Sequence, residues 1–243
     1  MGNDECGMMN TGIRFFLYVC ARKYIFSASS GGIMQENGFE LPVNLPDAMW
    51  LQHYFSNYAN PKARIGRLVH QGILYRLKRG LYIKAAAARN PYVLGQAANR
   101  VYGPSYVSFA YALRWHGLIP EHVVHITSAT YARGRSKRYD TPVASFLYRD
   151  VPSTAYPHDV MFADDGRHRF LIASAEKALC DALYQTSGVR ALKPLEHLLF
   201  ENLRIDPDAF NGLDHHKIIL LAGYYKTTTL GTLAKFIRKM SHA

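Results

Sequence analysis

The sequence predicts an α+β protein: a helix, turn, helix, hairpin unit near residues 39–88, followed over 90–243 by a larger mixed α/β region with a helical C-terminal tail. Apolar residues recur at helical spacing from Leu51 to Val69, then give way to short β-rich runs around Gly80. Beyond residue 90, β-rich runs such as VVHITSATY and TPVASFLYRDV alternate with helical ones such as ASAEKALCDALY. With 49% hydrophobic residues over 243 positions, the chain can fill a sizeable core.

Residues 1–38 pattern differently, with turn and linker composition in MGNDECGMMNTG and SASSGG around one aromatic run. Met34 opens the segment leading into the helix signals. Either translation starts there, or residues 1–33 are a real, poorly ordered extension. The apolar run IRFFLYVCA is cut by Arg22 and Lys23, and no stretch reaches the roughly 18 apolar residues of a membrane span. Cys6, Cys20 and Cys180 are odd in number and far apart, which supports neither a disulfide framework nor a zinc site. These features point to a cytoplasmic protein without a membrane partner.

Asp47 after Pro46 is an N-cap for a helix carrying Leu51, Tyr54, Phe55 and Tyr58 on one face. Asn60 followed by Pro61 marks a second helix start, with Ile65, Leu68 and Val69 turned inward and Gly72 as its stop. ILYRLKRGLYIK reads as two strands around Lys78, Arg79 and Gly80, where glycine can take the positive φ of a tight turn. YVSFAYALRWHGL predicts a helix ended by Gly117, and the polar loop ARGRSKRYD separates two β-rich runs. RFLIASAEKALCDALYQTSG passes from a strand into a helix capped at Ser174 and closed near Gly188. KPLEHLLFENL, DHHKIILLAGYY and TLGTLAKFIRKM form the helical tail.

The charge is concentrated. Lys and Arg number 29 against 18 Asp and Glu, a formal net charge of +11 that points to a polyanion, nucleic acid or an anionic membrane surface. Between Asp47 and Glu121 stand ten basic residues and no acid. On the second helix, with Lys62 in its first turn, Arg64, Arg67 and Gln71 form an outward stripe. These residue types bond guanine and adenine edges in a major groove wide enough for a helix. Arg76, Lys78 and Arg79 on the hairpin suit phosphate or minor groove contact. Solvated faces ordinarily mix signs, so an acid-free face favours DNA. A second cluster, Arg133, Arg135, Lys137 and Arg138, lies in a loop between predicted strands. It reads equally as a phosphate contact, a surface for a protein or RNA, or a solvated loop.

Catalysis finds no support. Lys177 and Asp181 stand at i, i+4, where a helix-surface ion pair is expected, and Glu176 lies in a first turn where carboxylates favour the helix dipole. His122 with His125, and His215 with His216, do not share a face as metal ligands must. Cys180 reads as a small core residue. The expectation is a binding protein with no catalytic residue, metal or cofactor.

Four stretches, NPKARIGRLVHQGILYRLKRGLYI, YGPSYVSFAYALRWHGLIP, RSKRYDTPVASFLYRDVP and ASAEKALCDALY, occur in the order and at the spacings of a known family. The chain from about Pro46 to about Tyr184 resembles the AbiEi-like antitoxins of abortive-infection type IV toxin–antitoxin systems. The resemblance implies a winged helix-turn-helix that binds operator DNA and represses the antitoxin–toxin operon. It also implies a larger domain tied to antitoxicity, with a nucleotidyltransferase-like toxin as genetic partner and no stable complex required. A one-component regulator sensing a small molecule, or a nucleic-acid-processing enzyme, are the alternatives.

Overall fold

The computed structural model describes residues 41–240, and the predicted 1–38 extension and Met34 start lie outside the described residues. The fold is α+β, with helices around a mixed sheet and a small separate hairpin.

Helix α1 (Ala48–Tyr54) begins where the Asp47 carboxylate accepts the N–H of Trp50 at 2.8 Å. Helix α2 (Pro61–His70) begins where the Asn60 side chain accepts the N–H of Ala63 at 3.0 Å. Gly72, at φ 70°, ends α2, and Gly80, at φ 81°, turns strand β1 (Leu74–Lys78) into its antiparallel partner β2 (Leu81–Lys84). The chain entering α1 covers the other edge of β2. Tyr82 N–H donates to the Pro46 carbonyl at 3.0 Å, and Lys84 N–H to that of Asn44 at 2.9 Å. This arrangement satisfies backbone groups that a bare two-stranded hairpin would leave open. Leu51, Phe55, Ile65, Leu68, Leu74, Leu81 and Ile83 are buried within the unit.

Helix α3 (Pro91–Val101) follows, capped by Asn90, which accepts the N–H of Tyr92 at 2.9 Å and of Val93 at 3.3 Å. It packs against the sheet so closely that a Cβ at Gly95 would lie 2.5 Å from the Phe170 ring, so only glycine fits. YVSFAYALRWHGL divides where the sequence predicts one helix. Tyr106–Val107 form strand β3, and helix α4 (Phe109–Trp115) starts only after Ser108. Tertiary pairing overrides local helical patterning here, because Val107 lies between Ser128 and Ile172 in the sheet.

The remaining strands are β4 (His125–Thr130), β5 (Lys137–Asp140), β6 (Ser145–Asp150), β7 (Val160–Asp164) and β8 (Arg169–Ala173). They order as β5-β6-β4-β3-β8-β7; β4 with β6 and β3 with β8 are parallel, and the other neighbours antiparallel. Helix α5 (Ala175–Tyr184) starts at Ser174, whose hydroxyl accepts the Lys177 N–H at 3.1 Å. Helix α6 (Leu192–His197) runs into a π-helical turn (Leu198–Asn202), followed by α7 (Pro207–Asn211), α8 (His215–Tyr225) and α9 (Thr228–Met240). This tail folds back on α5, with Ile218, Leu221, Tyr225, Leu230, Leu233 and Ile237 buried.

Candidate nucleic-acid interface

Helix α2 buries Ile65 and Leu68 and leaves Lys62, Ala63, Gly66, Arg67, His70 and Gln71 exposed. At about 100° per residue these six span half the helix circumference, centred near His70 and Ala63. The middle of the face is low: a Cβ at Gly66 would meet nothing within 4 Å, and Ala63 carries only a methyl group. Arg67 and Gln71 stand along one margin, as the sequence stripe requires, but Arg64 does not join them in the open. It is half-buried, with its guanidinium carbon 5.5 Å from the centre of the Tyr58 ring. The ring holds the cation over the turn between α1 and α2. His70, which periodicity reasoning passed over, occupies the centre instead.

On the hairpin, Arg76 and Arg79 are exposed. Among the described residues, Lys62, Arg67, Arg76 and Arg79 have no ion-pair partner. Lys78 differs from its neighbours. Its ammonium donates to the carbonyls of Arg100 and Val101, both at 2.8 Å, at the C-terminal end of α3. These are carbonyls that a helix end leaves without intrahelical partners. Burial, and then the Arg100 charge, lowers the Lys78 pKa. The residue expected to meet a phosphate thus fastens the hairpin to α3. Arg100 completes the joint, its guanidinium donating to the Leu45 carbonyl and, at 3.3 Å, to the Asp47 carboxylate.

The second basic cluster separates into two pairs. Arg133 and Arg135 are exposed in the β4–β5 loop, whereas Lys137 and Arg138 belong to β5 itself. Arg138 Nε donates to both oxygens of Asp140, at 2.8 and 2.9 Å, which spends its charge locally.

The i, i+4 ion pair expected on the surface of α5 forms in the interior instead. Lys177 and Asp181 are both fully buried, 3.2 Å apart. The Lys177 ammonium also donates to the Ala155 carbonyl at 2.8 Å and the Tyr225 hydroxyl at 2.5 Å. Asp181 accepts from Ser108 at 2.6 Å, Tyr225 at 2.5 Å and Tyr106 at 3.0 Å. Burial, followed by the Asp181 charge, pushes the Tyr106 and Tyr225 phenols upward, so both remain donors. The helix is covered on this side by α8 and α4, which i, i+4 spacing cannot reveal. Glu176, nearly buried, meets Lys217 at 3.0 Å and accepts the Asp214 N–H at 3.2 Å. Cys180 is a buried free thiol, and burial raises its pKa. Among the described residues no three His, Cys, Asp or Glu side chains gather to hold a metal ion, and no helix is long and apolar enough to cross a membrane.

No protein-family model matches the chain, and no curated protein matches it in sequence. Among solved structures, it resembles the RV2827C protein from Mycobacterium tuberculosis, with a TM-score of 0.51 and 12% identity over 80% of this chain and 72% of that one. The likeness is of fold alone. At this identity a shared architecture carries no activity with it.

Proposed function

We propose that the chain is a cytoplasmic DNA-binding antitoxin, in which residues 41–88 act as a winged helix-turn-helix with α2 as the reading helix and the β1–β2 hairpin as the wing. It would occupy operator DNA, repress its own operon and counteract a nucleotidyltransferase-like toxin encoded beside it, with no catalysis of its own. One observation carries the DNA half: an open helix face and hairpin presenting Lys62, Arg67, Arg76 and Arg79 without ion-pair partners among the described residues, in a stretch free of acids. The low centre at Ala63 and Gly66 admits close approach to base edges, with Arg67 and Gln71 beside it to bond them. Antitoxicity is supported by the sequence resemblance.

Footprinting the full chain on DNA from upstream of its own reading frame tests the first half. The expected result is one protected site and an affinity that falls steeply with salt; the absence of protection would overturn it. Co-expression with the adjacent toxin-like reading frame tests the second. Restored growth is expected, and the lack of any such reading frame would sink the antitoxin reading.

A further inference from the structure

Arg133 and Arg135 lie far from the hairpin in sequence, yet residues 100–103 bring the two regions together. From one side, Lys78 holds the carbonyls of Arg100 and Val101, each at 2.8 Å. From the other, Arg133 lies over the Tyr102 ring, its guanidinium carbon 5.3 Å from the centroid, and Nη2 donates to the Gly103 carbonyl at 2.7 Å. Two residues of chain span at most about 7 Å, so the Lys78 and Arg133 cations stand within roughly 13 Å of each other, about four base-pair steps of duplex.

The loop is built to stay in place. The Asp150 carboxylate accepts the N–H groups of Arg133 and Gly134, both at 2.7 Å, and the Thr130 hydroxyl at 2.6 Å. Gly134 takes φ 69°, open to glycine without strain. The Asp150 carboxylate is therefore occupied by backbone and hydroxyl hydrogens. Arg135 has no ion-pair partner among the described residues.

We propose that Arg133 and Arg135 extend the hairpin's DNA contact, so that the α/β region supplies a second phosphate clamp and the footprint is longer than the reading helix and wing alone would give. The proposal rests on the DNA-binding reading above. It divides the basic cluster, taking Arg133 and Arg135 into the interface and leaving out Arg138, bound to Asp140, and half-buried Lys137. An acidic protein surface would meet the same charges, but continuity with an acid-free stretch favours DNA, and a guanidinium fork matches phosphate geometry.

The test uses the full chain carrying Arg133→Ala with Arg135→Ala, Arg135→Glu alone, and Lys235→Glu as an exposed control on α9. Footprint length and the slope of log affinity against log salt are read, with thermal melting to confirm folding. The double variant is expected to lose protection at one flank, keep the centre, and shallow the salt slope by about 2, against no change in the control. Arg135→Glu should shorten the footprint in the same direction. Wild-type protein that protects DNA, with variants showing the same footprint and slope, overturns the proposal alone. An equal loss in Lys235→Glu reduces it to net charge and overturns it too. Loss of toxin rescue with DNA binding intact would assign the loop to a protein partner, and wild-type protein that protects no DNA would bring down this inference together with the reading beneath it.

Discussion

Helices α5 and α2 place cations in opposite surroundings. On α5, each donor of the Lys177 ammonium meets an acceptor, and the Asp181 carboxylate takes three hydroxyl donors in addition to the ion pair. On α2 and the hairpin, Lys62, Arg67, Arg76 and Arg79 face solvent with their donors unspent on acids among the described residues. A charge taken out of water is tolerated only when its hydrogen bonds are replaced within the protein, which makes the α5 group structural. A charge left in water keeps its donors for a partner, which makes the α2 face available for recognition. Position in a charged stretch does not decide which role a residue plays. Lys78 sits inside the acid-free stretch and behaves like α5, because α3 ends against it.

The largest effect should come from the buried side. Lys177→Met leaves the buried Asp181 carboxyl short of its ion-pair partner, and should cost about 3 to 5 kcal/mol of stability, read by denaturant unfolding. DNA affinity of the protein that remains folded should be unchanged; a stability loss below about 1 kcal/mol would break the distinction. On the open side, Arg67→Ala should cost about 1 to 3 kcal/mol on the operator and relax preference at one base position, with little change in melting. Equal losses on operator and scrambled duplexes would show that α2 does not read bases.

Lys78→Met and Arg79→Ala sharpen the comparison within a single turn. Arg79→Ala should shallow the salt slope by about 1 without changing stability, whereas Lys78→Met should cost about 1 kcal/mol of stability and leave the slope alone. The same slope change in both would return Lys78 to the DNA surface. The smallest effect concerns pH. Burial works to raise the Glu176 pKa, but backbone N–H bonds and Lys217 outweigh it, so the folded value lies below the ordinary 4.5. A carboxyl depressed by folding stabilises above its unfolded pKa, and the contribution is lost as pH falls through the folded one. Glu176→Gln should therefore cost up to about 1 kcal/mol at pH 7 and flatten the stability loss below about pH 4.5. An unchanged acid limb would count against it.

The sequence already carried the caps at Asp47, Asn60 and Ser174 and the turns at Gly72 and Gly80, since each depends on side chains within a few residues. It also carried a signal left unread: Asn90 with Pro91 repeats the Asn60–Pro61 helix start and caps α3 in the same way. Strand β3 left no comparable trace, because two residues offer no period and its place comes from neighbours distant in the chain.

By itself, then, the sequence determined where the basic stretch lies and that helices α1 and α2 lead into a hairpin, because charge composition and capping are local properties. Only the tertiary structure decided which cations stay open. Arg64 is drawn over Tyr58, Lys78 is spent on α3, Lys177 is sealed beneath α8, and Arg133 is held over the Tyr102 ring and on the Gly103 carbonyl. Each outcome depends on an acceptor or ring supplied by another element or by a different turn of the chain, and whether a charge is exposed or satisfied is a property of that meeting.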